Sequence, residues 1–221
     1  MKDSIFITGT GTDVGKTIAA AVLTETLEAD YWKPVQAGFE AGTDATFIQS
    51  VISNQQTVIH PETYKLKLAA SPHIAAREER IKIELDKIYN DHIKIVYAQS
   101  PSQNLIIEGA GGLMVPLNES KFVIDLIKKL NVKVVLVSRN YLGSINHSLL
   151  TATVCRQNNI DVLGWIFNDH YMHYEDEIVR WSGYPKIASL PLSQNVDAGF
   201  IKEQALAIKN SLAFNTLVNQ L

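Results

Sequence analysis

The sequence predicts an α/β fold in which helices cover both faces of a doubly wound, mostly parallel β-sheet, giving three layers. Short apolar runs typical of buried strands alternate along the chain with longer helical segments. Several of these runs are almost continuously apolar or β-branched, as expected for strands buried on both faces. The chain has 221 residues, of which 46% are hydrophobic and 19% charged. We therefore expect one globular domain over residues 1–221.

The individual elements follow in order from their local patterns. We predict strands at 4–8, 31–35, 104–108, 132–138, 161–167 and 186–190. We predict helices at 15–27, beginning within 42–48, and at 71–77, 83–99, 122–130, 144–158, 174–181 and 196–218. Thr43 is placed to cap the second helix, and residues 53–72 show no clear pattern. The last helix carries apolar residues at helical spacing, so we expect it to dock on the core.

A glycine-rich loop over Gly9–Thr17 joins the first strand to the first helix and ends on Gly15-Lys16-Thr17. Backbone N–H groups in such a loop, and at the N-terminus of the helix that follows, converge on one anion. We therefore expect Lys16 to reach the β- and γ-phosphates of a nucleoside triphosphate and Thr17 to bind Mg²⁺. The usual pattern has glycine where this chain has Thr10, so five residues separate the framing glycines.

Other candidate residues lie just past the predicted strand ends, because ligands of open α/β sheets bind outside the carboxyl ends of the strands. These positions are 9–17, Lys33, Glu108, 138–144, Asn168 and Pro191. Mg²⁺ prefers hard oxygen ligands, and Thr17, Asp44 and Glu108 could supply one hydroxyl and two carboxylates. Lys33 could stabilise the charge on a phosphoryl group during its transfer.

The composition argues against several other classes of function. A net charge of −3 without a Lys/Arg cluster does not suggest nucleic-acid binding. The single cysteine, Cys155, excludes an internal disulfide and suits a reducing compartment. The histidines lack zinc-ligand spacing with cysteines. No signal peptide is visible, and no apolar run approaches the ~20 residues of a membrane span. We therefore expect a cytoplasmic protein that is not bound to a membrane.

Several sequence blocks together resemble the dethiobiotin synthetase family. The loop Gly9–Thr17 is similar to that family's G-T-x-T-[ED]-V-G-K-T, and Trp32-Lys33-Pro34-Val35 is similar to its Y-K-P-V. Further blocks match in the same order at Asp44-Ala45, Glu108–Gly112, Leu142–His147 and Gly164–Asp169. The resemblance spans about residues 4–192. It implies a phosphate-loop nucleotide hydrolase-like fold and a single ATP-binding ligase domain.

The resemblance also implies a reaction, a cofactor and a homodimer. The enzyme would close a ureido ring, converting 7,8-diaminopelargonate, CO₂ (or bicarbonate) and ATP into dethiobiotin, ADP and phosphate, a step of biotin biosynthesis. The path would run through a carbamate and a carbamic-phosphoric anhydride, with Mg²⁺ as the metal. The amides at the start of one helix would hold the carboxylate tail of the substrate across the dimer interface.

The roles implied by the resemblance fall on four sets of residues. Catalysis is assigned to Lys33 and Lys16, and the metal to Thr17, Asp44 and Glu108. Substrate binding is assigned to Thr12, Lys33, Gly143, Ser144, Ile145 and Asn146. ATP binding is assigned to Thr12, Asp13, Val14, Gly15, Lys16, Thr17, Asp44, Glu108, Gly109, Ala110, Gly111, Asn168, Asp169, Pro191, Leu192 and Ser193. Asn168 would recognise adenine, with the turn at 191–193 packed against the base.

Two positions depart from the family pattern. Ala37 stands where the family often has a serine that touches substrate, and alanine cannot donate a side-chain hydrogen bond. We therefore leave Ala37 out of the predicted site. Asp13 stands where glutamate is common.

Two other functions remain as alternatives. A partitioning or positioning ATPase would usually carry a second lysine early in the loop, and this chain has none between Gly9 and Lys16. An amidase-coupled synthetase would usually be joined to a glutaminase domain with a nucleophilic cysteine. The single Cys155, in the middle of a chain of this length, argues against it.

Overall fold

A parallel seven-stranded sheet lies at the centre of the computed structural model, which describes residues 2–220 without the side chain of Thr216. The strands are β1 (Asp3–Gly9), β2 (Asp30–Trp32), β3 (Val35–Ala37), β4 (Ile59–His60), β5 (Tyr64–Leu66), β6 (Asn104–Gly112), β7 (Lys133–Arg139), β8 (Val162–Asn168) and β9 (Lys186–Leu190). The central order is β4-β2-β6-β1-β7-β8-β9, and β3 pairs with β5 in a separate two-stranded sheet. These strands pair in parallel, which confirms the predicted sheet.

Helices cover both faces of this sheet. They are α1 (Lys16–Leu27), α2 (Asp44–Val51), α3 (Pro72–Glu78), α4 (Leu85–Tyr97), α5 (Val123–Leu130), α6 (Ser144–Gln157), α7 (Glu175–Ser182), α8 (Ala198–Lys209) and α9 (Leu212–Asn219). One apolar core joins the sheet to α3 through α7, and a second joins it to α1, α2, α8 and α9. The three-layer prediction is therefore confirmed. Among the helices described, none is both long and apolar enough to cross a membrane.

The predicted strand over 31–35 is divided into two strands. β2 stays in the central sheet, whereas β3 turns away and pairs with β5. Pro34 lies between them and has no N–H group to donate to a ladder. Its carbonyl instead accepts a hydrogen bond from the backbone N–H of Tyr64 at 2.9 Å. This pairing also explains the unclear segment 53–72, which contains the short strands β4 and β5.

Two further elements differ from the sequence predictions by more than the one or two residues by which the ends of helices and strands usually vary. β6 continues to Gly112 rather than ending at 108, because its glycine-rich end stays paired with β1 at Gly9. The predicted helix over 196–218 is two helices, because α8 ends at Lys209 and a new helix begins after Ser211. The Ser211 side chain accepts a hydrogen bond from the N–H of Phe214 and so caps α9. Ile201, Ile208 and Leu217 are buried, which confirms that this end of the chain docks on the core.

A buried carboxylate anchors the amino end of β2, the strand that leads to Lys33. Asp30 is fully buried and contacts Lys2, and it accepts hydrogen bonds from His60 Nε2 at 3.2 Å and the Val58 N–H at 2.9 Å. Burial alone would raise the pKa of Asp30. The hydrogen bonds from His60, Lys2 and Val58 outweigh burial and hold the pKa of Asp30 below its ordinary value.

Asp30→Asn should therefore destabilise the fold in a pH-dependent way. A carboxylate with a depressed pKa stabilises the folded state above its unfolded pKa, about 3.9, and loses that contribution as the pH falls through its folded pKa. We expect a loss of about 3 kcal/mol in the free energy of unfolding at neutral pH, shrinking below about pH 4. Urea unfolding across this pH range measures it, with the exposed Asp161→Asn as a matched control. A deficit that stays constant with pH would contradict the assignment.

Candidate active site

The phosphate loop is closed by a glycine in a conformation that other residues rarely adopt. Gly15 precedes α1 with φ +90°, in the left-handed region. A Cβ atom there would lie 2.1 Å from Nδ2 of Asn168. The same Nδ2 donates a hydrogen bond to the carbonyl of Val14 at 2.7 Å. Asn168, at the end of β8, thus contacts the phosphate loop directly through the carbonyl of Val14.

Lys16 is the first residue of α1 and points back over the loop. Its ammonium donates a hydrogen bond to the carbonyl of Gly11 at 2.8 Å, and the residue is 7% exposed. Burial lowers the pKa of Lys16, and the charge of Lys33 adds to that effect while Glu108 opposes it. An anion bound in the loop would favour the charged form of this lysine.

Glu108 connects the phosphate loop to the end of β2. Its carboxylate is almost fully buried. Oε1 accepts hydrogen bonds from Thr17 Oγ1 at 2.9 Å and from Lys33 Nζ at 3.0 Å. Oε2 accepts a hydrogen bond from the hydroxyl of Tyr31 at 2.8 Å. Three hydrogen bonds, one of them from a cation, compensate for the burial of this charge.

Lys33 lies between two carboxylates. Its ammonium contacts Asp44 as well as Glu108, and only 7% of its side chain is exposed. Burial alone would lower the pKa of Lys33. The adjacent carboxylates of Glu108 and Asp44 outweigh burial and raise the pKa above its ordinary value. Lys33 is therefore a fixed positive charge at neutral pH.

The start of α2 holds Asp44 in this cluster. Thr43 caps the helix as predicted, because its Oγ1 accepts from the N–H of Thr46 at 3.1 Å while Thr46 Oγ1 accepts from the N–H of Thr43 at 2.9 Å. The N–H of Asp44 also donates to Oε1 of Gln36 at 3.3 Å. A carboxylate in the first turn is further favoured by the helix dipole.

A cavity of about 790 Å³ opens beside these groups. The predicted site residues that line it are Thr12, Asp13, Gly15, Lys16, Thr17, Lys33, Asp44, Glu108, Ala110 and Gly111. Ala69 to Ser71, which precede α3, and Pro72, its first residue, form another part of its wall. Within the described chain, three or more His, Cys, Asp or Glu side chains do not converge on one metal position. A cation here would therefore need the Thr17 hydroxyl and phosphate oxygens in addition to the carboxylates.

Other predicted residues lie elsewhere in the described chain. Val14 is buried behind the loop, and Gly109 packs on Phe6, where a Cβ would be 2.5 Å from the ring. Asp169 follows β8, and its N–H donates to the carbonyl of Leu190 at 3.2 Å. The turn at 191–193 therefore starts beside the end of β8, on the Asn168 side of the phosphate loop.

The predicted substrate-tail residues Gly143, Ser144, Ile145 and Asn146 form the start of α6 and lie outside the lining of this cavity, as far as the chain is described. Gly143 is left-handed, with φ +102°, and has open space around it. Ser144 is buried, and its Oγ lies 2.7 Å from the hydroxyl of Tyr174.

Sequence reasoning missed two side chains in this cluster. The sequence predicts Tyr31 only as part of a strand, and it gives Gln36 no role. Side chains alternate along a strand, so a position two residues before Lys33 is the available signal for Tyr31. Gln36 donates to the carbonyl of Gly38 at 2.8 Å and so spans the turn between β3 and α2. No pattern in the sequence indicates that contact.

Comparison with known proteins identifies the family of this chain. A family model described as "AAA domain" matches residues 3–199. The ATP-dependent dethiobiotin synthetase of Cytophaga hutchinsonii is 48% identical over 183 residues, which cover 81% of this chain and 84% of that protein. The enzyme of the same name from Christiangramia forsetii is 38% identical, covering 96% of this chain and 99% of that protein.

The chain belongs to the ATP-dependent dethiobiotin synthetase family.

Solved structures show how the fold of this dethiobiotin synthetase family member relates to other ATPases. The MinD protein of Pyrococcus horikoshii matches with a TM-score of 0.60 and 15% identity, covering 100% of this chain and 96% of that chain. A ParA-family ATPase of Chlorobium tepidum matches with a TM-score of 0.54 and 14% identity, covering 99% of this chain and 96% of that chain. At this identity the likeness shows the phosphate-loop fold alone, and it does not favour a positioning ATPase.

Gly15→Ala should lower the affinity for ATP without unfolding the protein. A β-carbon at φ +90° is strained, and it would also push Asn168 away from the loop. We expect the affinity for ATP, measured by calorimetry, to fall roughly tenfold or more.

Gly183→Ala is the matched control, because Gly183 has φ +74° with open space around it and lies at the end of α7. Both variants should lose melting temperature through backbone strain, Gly15→Ala by at least as much because of the contact with Asn168, while only Gly15→Ala loses affinity. Wild-type affinity in Gly15→Ala would show that the loop does not hold the nucleotide as described.

Proposed function

We propose that this member of the dethiobiotin synthetase family binds ATP in the loop at Gly9–Thr17 and converts 7,8-diaminopelargonate and CO₂ into dethiobiotin, ADP and phosphate. The observation that carries the proposal is that Lys16, Lys33 and Glu108 line a single cavity together. That cavity can hold a triphosphate beside a second substrate.

The reaction needs three bond-forming steps. One substrate amine adds to CO₂ and loses a proton, giving a carbamate. A carbamate oxygen then attacks the γ-phosphorus of ATP, and the bond to the β-phosphate oxygen breaks to release ADP. Finally, the second amine attacks the carbonyl carbon of the mixed anhydride and loses a proton as inorganic phosphate leaves, which closes the ureido ring.

Lys33 and Lys16 are suited to electrostatic stabilisation of the phosphoryl transfer. The raised pKa of Lys33 keeps its ammonium charged at neutral pH, so it acts as a cation rather than as a base. A fixed charge beside the transferring group stabilises the transition state without reorganisation. Lys16, whose ammonium lies over the phosphate loop, is suited to hold the β- and γ-phosphates of ATP.

The residues around Glu108 fit a magnesium ion. The carboxylates of Asp44 and Glu108 both contact one cation, the ammonium of Lys33. The Glu108 oxygen that contacts Lys33, Oε1, also accepts a hydrogen bond from the hydroxyl of Thr17. Thr17, Asp44 and Glu108 would hold Mg²⁺, which would neutralise charge on the phosphate oxygens when bound.

We also propose separate sites for the base and for the substrate tail. Asn168 and the turn at 191–193 lie side by side next to the loop, which suits adenine recognition. The start of α6 at Gly143–Asn146 favours a carboxylate, which would be held by N–H groups other than that of Ser144, since this one donates to the carbonyl of Tyr141 at 2.9 Å. Leu142, just before α6, and Leu150, midway along it, are 85% and 57% exposed, which favours a homodimer in which a second copy covers part of this helix. We further propose that residues 1–221 form one domain. The use of ATP and the free thiol of Cys155 favour a cytoplasmic location.

ADP release should depend on the diamine. Purified protein with MgATP and bicarbonate should release ADP slowly, and 7,8-diaminopelargonate should stimulate the rate many-fold, since the carbamate is the phosphoryl acceptor. A coupled ADP assay measures this, and the identity of dethiobiotin is checked by mass spectrometry. Unchanged ADP release on addition of the diamine would refute the proposed reaction.

Lys33→Ala should cut turnover about 100-fold or more while changing the affinity for ATP by only a few fold. The variant removes the positive charge that faces the transferring group, whereas Lys16 and the loop amides remain. Steady-state kinetics and ATP titration provide the two readouts.

Lys202→Ala removes an exposed lysine on α8 and serves as the control, with both quantities at wild-type values. A Lys33→Ala enzyme that turns over at a near wild-type rate would remove Lys33 from the mechanism.

A further inference from the structure

A tyrosine outside the cavity lining holds one oxygen of the carboxylate at the centre of the site. Tyr31 lies in β2 and is fully buried. Its hydroxyl donates a hydrogen bond to Oε2 of Glu108 at 2.8 Å. The other oxygen of this carboxylate, Oε1, faces Thr17 and Lys33. The two oxygens therefore have separate partners, a phenol on one side and the phosphate-binding groups on the other.

The strand pairing accounts for this contact. Tyr31 is paired with Ile106 in the parallel ladder between β2 and β6. Glu108 lies two residues beyond Ile106, so its side chain leaves the same face of the sheet. A long aromatic side chain can span that offset, whereas a short residue at this position would leave Oε2 without this donor.

The contact between Tyr31 and Glu108 runs in one direction. The phenol hydroxyl carries a proton, and it donates that proton in a hydrogen bond to Oε2 of the carboxylate at 2.8 Å. It can only donate to the carboxylate of Glu108, which fixes the direction of the contact.

We propose that Tyr31 is a positioning residue that sets the rotation of the Glu108 carboxylate, so that Oε1 is presented to the magnesium–nucleotide complex. This inference rests on the proposed function, since it takes Glu108 as a magnesium ligand. Tyr31 itself lies outside the residues that line the cavity. Partners that orient a metal ligand contribute to metal affinity through that ligand, and their removal costs about 10- to 100-fold.

The test compares nucleotide affinity with and without the metal. The probe is AMP-PNP, a non-hydrolysable analogue of ATP, titrated calorimetrically into the protein in saturating magnesium chloride or in EDTA. The wild-type protein should bind more tightly with Mg²⁺. Tyr31→Phe should lose about tenfold or more of this enhancement while keeping the wild-type affinity in EDTA.

Tyr64→Phe is the matched control. Tyr64 is also buried, and its hydroxyl accepts a hydrogen bond from the backbone N–H of Glu84 at 3.0 Å, away from the carboxylate cluster. Its loss reports the general cost of deleting a buried hydroxyl, and it should leave the magnesium enhancement unchanged. A Tyr31→Phe protein that keeps the wild-type enhancement would overturn the inference.

A double-mutant cycle separates a positioning role from a structural one. In a Glu108→Gln background the carboxylate is gone, so adding Tyr31→Phe should cause no further loss of magnesium enhancement. A loss as large as in the wild-type background would mean that Tyr31 acts independently of Glu108, against the inference. If wild-type protein shows no enhancement at all, the magnesium site itself is wrong and the inference falls with it. That outcome can be told apart from a failure of the inference alone, in which the wild-type protein and Tyr31→Phe show the same magnesium enhancement.

Discussion

The buried carboxylate of Glu108 is the constraint on which the site depends. A charge removed from water is costly unless hydrogen bonds and an opposite charge compensate for it. Here the compensation comes from Thr17 on α1, Lys33 after β2 and Tyr31 within β2. Because each donor comes from a different position along the chain, the carboxylate ties the phosphate loop to the second strand. The groups that make its burial tolerable are also the groups suited to phosphoryl transfer.

The order of the strands makes this convergence possible. β6 lies between β1 and β2, although it follows both by many residues in the chain. Parallel strands end at the same edge of the sheet, so the loop after β1, Lys33 after β2 and Glu108 in β6 meet there. The helices contribute by covering both faces with apolar side chains, which excludes water from the base of the cluster. The site is therefore built on the rigid centre of the fold, while its outer wall comes from the short segment before α3.

Much of this arrangement could be predicted from sequence, because strand ends in an open parallel sheet indicate where ligand-binding residues gather. Lys33 and Glu108 are both predicted in that way, and Nζ of Lys33 lies 3.0 Å from Oε1 of Glu108. The pairing of β3 with β5 was not predictable, since strands of three residues are too short to show a period. The contact of Tyr31 depends on the register between β2 and β6, which one sequence does not reveal. The break before Ser211 was missed because apolar spacing continues across it.

In the proposed reaction Glu108 presents Oε1 to a magnesium ion, and the ammonium of Lys33 faces the phosphoryl group that is transferred. A crystal structure of the protein with AMP-PNP, Mg²⁺ and 7,8-diaminopelargonate tests this most directly. We predict that the metal is bound by Thr17, Asp44 and Glu108, with Tyr31 still donating to Glu108 and Lys33 contacting the γ-phosphate. A metal bound away from Glu108, or a Lys33 that remains between the two carboxylates with its ammonium turned away from the phosphate, would contradict the account.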